Sequence, residues 1–130
     1  MQIYLYTGAD KKQDLTRLAL GVAGLDLPVC VVHFGPASPQ HHLALLSDSL
    51  PIDFIPVRLP GLGRPRSDPL ADTLVIETTT AVLRYLLAQG RYSLFVLDDV
   101  REAVARDLLT VEDLHRLLRA APDDARIAMT

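Results

Sequence analysis

Six consecutive residues, Val29–Phe34 (VCVVHF), are almost entirely apolar. A run this short fits a strand covered on both faces. Such strands belong to parallel sheets with helices above and below. Ile3–Thr7, Ile52–Val57, Leu94–Leu97 and Arg126–Met129 read as further strands, and helical spacing fills the gaps. Asp10–Gly24 puts Leu15, Leu18, Ala19 and Val22 at helical spacing. Ser38–Leu50 reads as a helix, with Ser38 as its cap and Pro39 at its first position. Asp68-Pro69 opens the longest helix, which Gly90 stops, and Thr110 caps another over Thr110–Ala121. The alternation predicts one domain, 1–130, of the α/β class: a three-layer α/β/α sandwich around a mainly parallel five-stranded sheet. Ligands of such sheets bind at the carboxyl ends of the strands. That edge is expected to carry Thr7-Gly8, His33, the loop Arg58–Ser67, Asp98-Asp99 and Thr130.

Composition narrows the function classes. The net charge of -3, with no basic excess, argues against nucleic-acid binding. No apolar stretch reaches the roughly 20 residues needed to span a bilayer, and no signal peptide is visible. The single cysteine, Cys30, lies in an apolar run and reads as core. With no disulfide framework, a reducing, cytoplasmic setting is expected.

The first 25 residues have the layout of a phosphate-binding loop: an apolar strand, a glycine turn, then an amphipathic helix. Such a loop needs a Gly-rich turn and a Lys-Ser/Thr pair at the helix start. Here only Gly8 stands in the turn, and Lys11-Lys12 is followed by Gln13-Asp14. Two readings stay open. The helix start could cradle phosphate. Alternatively, Asp10-x-x-Gln13 is a capping box whose Asp10 carboxylate takes up the same N–H groups.

Asp98-Asp99 also reads in two ways. A carboxylate at the end of a buried strand can hold Mg²⁺, with the second acid orienting a water or a ligand hydroxyl. Either acid could instead cap the helix that follows. Arg58, Arg64 and Arg66 sit with Gly61 and Gly63 in a loop that could grip phosphate or stay solvated. His33 ends a strand and could face a ligand or be a satisfied structural residue. His41 and His42 are adjacent, so they cannot chelate one metal as an i,i+4 pair could, and His115 reads as surface.

The segment 91–130, RYSLFVLDDVREAVARDLLTVEDLHRLLRAAPDDARIAMT, resembles the corrinoid adenosyltransferases, a P-loop family. VLDD stands where that family usually has ILDE. Val100–Arg106 matches its short helix, Asp107-Leu108-Leu109 its turn, and IAMT the strand running into Thr-Gly-Arg. LALGVAGLDLPVCVVHF (18–34) is similar to its first helix and second strand. The resemblance implies a P-loop-NTPase-like fold and transfer of the adenosyl group of ATP to a corrinoid substrate. It implies ATP at Thr7, Gly8, Lys11 and Lys12; Arg64 of the arginine loop is a further binding candidate, for phosphate or a corrin edge, on the chemistry of its guanidinium. It implies Mg²⁺ at Asp98, and catalytic roles for Asp98 and Asp99. Registering the helix on the family leaves the loop about two residues short, with Lys11 at a family lysine position. The chain ends before the family's further helix and strand, which predicts an open edge at the last strand and a homodimer. A non-catalytic relative that binds a corrinoid, a nucleotide or a protein is a second expectation. A flavodoxin-like or receiver-like signalling domain is a third, because alternation alone does not separate doubly wound folds.

Overall fold

The computed structural model describes residues 1–35 and 42–130. The expected cap Ser38 and Pro39 lie outside them. The elements run β1 (Gln2–Leu5), α1 (Lys11–Gly24), β2 (Val29–Phe34), α2 (His42–Leu45), β3 (Ile52–Val57), β4 (Leu59–Pro60), β5 (Gly63–Arg64), α3 (Pro69–Ala88), β6 (Leu94–Asp98), α4 (Val100–Ala105), α5 (Val111–Ala120) and β7 (Arg126–Met129). β1, β7, β6, β2 and β3 form one all-parallel sheet in that order. The predicted α/β sandwich is what the chain adopts.

Alternation along the central strands builds the two helix layers. Val29, Val31, Leu94, Val96 and Ala128 pack against Leu15, Ala19 and Ala23 of α1 and Leu43 of α2. Cys30, Val32, Phe34, Phe95, Leu97, Ile127 and Met129 face the other way. They pack with Leu83 and Leu87 of α3, Val100 and Ala103 of α4, and Leu117 of α5. All six residues of β2 are buried, as its apolar run requires.

Local chemistry explains most boundaries. Asp68 caps α3 by accepting from the Ala71 N–H at 2.9 Å, with Pro69 at the first position. Thr110 and Asp113 form a reciprocal capping box on α5. Two expectations are corrected. Residues 46–49 are turns, so the helix predicted to Leu50 ends at Leu45. The last strand is not an open edge. β7 lies between β1 and β6, and the edges are β1 and β3. Every residue of β1 is exposed, including Ile3 and Leu5.

Cys30 is fully buried, and burial, reinforced by the Asp53 carboxylate, pushes its thiol up to about 12. The unfolded chain releases this proton near the ordinary value of 9.0. Above that pH the unfolded state binds fewer protons than the folded one, so stability falls as pH rises from about 9 to about 12. The Cys30 contribution is up to about 1.4 kcal/mol per pH unit. Denaturant melts of the wild type and Cys30→Ala across this window should show a shallower alkaline loss in the variant. The wild-type thiol should react with disulfide reagents only on unfolding. A second expectation concerns the α5 cap: Thr110→Ala should lower stability by about 1 kcal/mol in the same melts.

Candidate functional site

The chain leaves β2 through α2 to reach β3, and leaves β6 through α4 and α5 to reach β7. Those helices lie on opposite faces, so the connections part company between β2 and β6. A crevice at such a switch point, outside the carboxyl ends of the strands, is where open α/β sheets bind ligands. The register sets His33 of β2 directly opposite Asp98 of β6, as the last pair of that ladder.

Asp98 is 1 % exposed, and His33 and Thr130 are buried with it. His33 Nδ1 lies 2.7 Å from Asp98 Oδ2. The Thr130 hydroxyl donates to Asp98 Oδ1 at 2.9 Å and accepts from the Asp99 N–H at 2.8 Å. Lys12 Nζ, at the start of α1, stands 2.5 Å from Asp98 Oδ1 and 2.5 Å from Asp99 Oδ1. The His33 ring stacks on Phe54 of β3, with centroids 6.0 Å apart and planes 25° apart. One buried carboxylate thus draws in a helix start, a neighbouring strand and the residue after β7. The partners also meet its need, since a buried charge without them is strongly destabilising.

Two clefts open around this cluster. One, of about 280 Å³, is lined by Lys12, Thr16, His33, His42, Leu43, Asp98 and Asp99 among others. The other, of about 450 Å³, lies toward α4 and is lined by Lys11, Arg101 and Arg106, by Asp99 and Glu102, and by Phe34 and Leu62 among others. Arg106 is held by Glu102 at 2.6 Å.

The expected site residues divide. Lys12, Asp98 and Asp99 come together. Lys11 turns to the other side of the helix start and lines the larger cleft. Thr7 and Gly8 are exposed in the turn after β1, where Gly8 has φ +88°, a left-handed conformation open to glycine. Arg64 is exposed on β5 and lines neither cleft.

Both capping readings are overturned. Asp10 holds the N-cap position of α1, but its side chain makes no capping bond. Its backbone, at φ -96° and ψ 9°, is not the extended conformation that aims a cap side chain at the first turn. Asp99 holds the N-cap position of α4 without a capping bond. It sits at φ +62°, and one carboxylate oxygen goes to Lys12. Asp98 points to His33, Lys12 and Thr130. Thr130 and His33 are the residues that sequence reasoning left without a committed role. The signal for both was position, since each closes a buried strand at the ligand-binding edge.

No protein-family model matches the chain, and no curated protein does. Among the described residues, no helix is long and apolar enough to cross a membrane.

Thr130→Val should strip Asp98 of a donor and the Asp99 N–H of its acceptor. It should cost about 1–3 kcal/mol, as buried polar groups left unpaired do. Thr130→Ser, which keeps the hydroxyl, should recover most of that loss in thermal melts.

Proposed function

We propose that this chain is an adenosyltransferase-like protein, similar to the corrinoid enzymes its sequence resembles, with an altered nucleotide site. It binds ATP and a divalent cation across the ends of β2, β6 and β7, with a corrinoid beside them. The observation that carries the reading is Lys12 Nζ at 2.5 Å from both Asp98 and Asp99. A lysine from the start of the helix after β1 meets paired carboxylates at the end of a buried strand. Those are the charges a metal–phosphate group needs, the lysine for phosphate oxygens and the acids for the metal. The uncapped start of α1 supports it too, because Asp10 does not fill the place of an incoming anion.

In that reaction the cob(I) electron pair forms a bond to the ribose 5′ carbon of ATP. The bond from that carbon to oxygen breaks, and triphosphate leaves with its electron pair. Lys12, Lys11 and Arg101 would spread the leaving charge, and the clefts would position the two reactants. Asp98 would hold the cation, and Asp99 would orient a water or a hydroxyl. The same reading carries a cytoplasmic location. It also carries a homodimer, for which the exposed β1 edge is an available surface. A binding protein without turnover is the second reading. It is favoured by Gln13-Asp14 after Lys12, where no hydroxyl is present to hold a metal.

The test is a thermal-shift titration with MgATP, with and without a corrinoid. At about 100 times its dissociation constant a ligand of the folded state adds about 2.7 kcal/mol, on the order of 10 °C for a domain of this size. Lys12→Met should abolish most of the MgATP shift. A shift with MgATP and transfer under anaerobic, reducing conditions supports the enzyme, and a shift without transfer supports the binder. No shift with either ligand overturns both.

A further inference from the structure

We infer that the outer face of α3 is a self-association surface, on which a second copy of this chain packs its own α3 antiparallel about a two-fold axis. α3 lines neither cleft at the strand ends and is no part of the β1 edge, so this surface is separate from both.

α3 is 20 residues long, about 30 Å, and only Asp72, Glu77 and Arg84 in it are charged. Its inner face is accounted for: Leu83 and Leu87 are buried, and Ile76 and Leu86 pack against the same core. A helix that covers a core on one side carries charged and polar residues on the other. α5, in the same layer, does so with Glu112, His115, Arg116 and Arg119 exposed. α3 does not. On the side away from Leu83 and Leu87 stand Leu74, Thr78, Ala81, Tyr85 and Ala88, all exposed and none charged. Leu70 and Val82 flank them at 71 % and 52 % exposed, with Leu74 at 54 % and Tyr85 at 67 %.

The spacing fits a helical partner. Leu74, Thr78, Ala81, Tyr85 and Ala88 follow one another in steps of four and three residues, which is the a and d seam of a heptad. Antiparallel seams set an a position against a d position. With the axis between Thr79 and Thr80, Tyr85 lies opposite the partner's Leu74, and Thr78 lies opposite the partner's Ala81. Small side chains then meet at the centre, and a large pair meets on either side of it.

Charge selects a second copy as the occupant. Asp72 is taken up by the Ser67 N–H, at 3.0 and 3.2 Å. Among the described residues neither Glu77 nor Arg84 has an ion-pair partner. They stand seven residues apart, about two turns, on the same flank of the seam. A two-fold axis across the seam keeps that flank on its side and reverses its direction. Each Glu77 therefore meets the partner's Arg84, and the surface is complementary to itself. Area agrees, since the seven exposed uncharged residues offer on the order of 600 Å² per copy, or roughly 1,200 Å² for the pair, the lower end for a specific interface.

The experiment is sedimentation velocity on the full chain across micromolar concentrations. The wild type should pass from monomer to dimer over that range. Leu74→Glu and Tyr85→Glu, both at exposed positions, should keep the wild-type circular dichroism and sediment as monomers throughout. Glu77→Arg and Arg84→Glu should each weaken the dimer by about tenfold or more, because each sets like charges face to face twice per dimer. The double variant Glu77→Arg/Arg84→Glu rebuilds both pairs in reverse and should dimerise nearly as the wild type does. Ile3→Lys, on the exposed β1 edge, should change nothing. The charge-reversal set leaves the seam intact, so it gives the answer even where a seam variant fails to fold. A wild type that stays monomeric up to submillimolar concentration overturns the assignment, whatever else binds this face. So do dimers that survive Leu74→Glu and Tyr85→Glu, dimers that Ile3→Lys dissolves, and a double reversal that associates no better than the single ones.

Discussion

A carboxylate buried at the end of a buried strand is the constraint around which this molecule is arranged. Asp98 has almost no contact with water. An ionised group there costs several kcal/mol unless charge and hydrogen bonds are brought to it. Among the described residues they come from three directions: Lys12 from α1, His33 from β2 and the Thr130 hydroxyl beyond β7. Loosening any one of these elements exposes the carboxylate to an unmet need. The electrostatics of the cluster and the docking of α1 across the strand ends are therefore one problem with one solution.

The same arrangement explains why the two lysines at the helix start differ. Consecutive helical residues point about 100° apart, so only one can face a given strand end. Lys12 faces the carboxylates, and Lys11 lines the cleft toward α4 with Arg101 and Arg106. The strand ends thus carry two electrostatic regions side by side. One is the carboxylate pair that Lys12 joins, and the other is a cleft of mixed charge, where Lys11, Arg101 and Arg106 stand with Asp99 and Glu102. An anion bound across both would meet lysines on each side of the acid pair.

Much of the architecture was legible in particular residues. The apolar run Val29–Phe34 announced a strand covered on both sides. Asp68-Pro69 and Thr110 announced helix starts, and each cap bond is present. Asp98-Asp99 was legible as chemistry because two acids closing an apolar strand need a reason. The capping failures differ in cause: the Asp10 backbone is not extended, and the Asp99 carboxylate is taken by Lys12. Asp10 and Asp99 both stand at N-cap positions, yet neither side chain caps. A local pattern states what a side chain can do with its own helix. It does not include a lysine 87 residues away in the chain, which is what claims Asp99.

The sequence by itself determined the elements, their alternation and the apolar faces that force a covered parallel sheet. Those depend on periodicity and on residues within a turn or two of one another. Strand order was decided only in the tertiary structure. It put β7 inside the sheet and β1 at its edge, and set β2 beside β6, because pairing between distant segments depends on how whole layers pack. That adjacency aligns His33 with Asp98, and the β6–β7 pairing brings Thr130 to the same carboxylate.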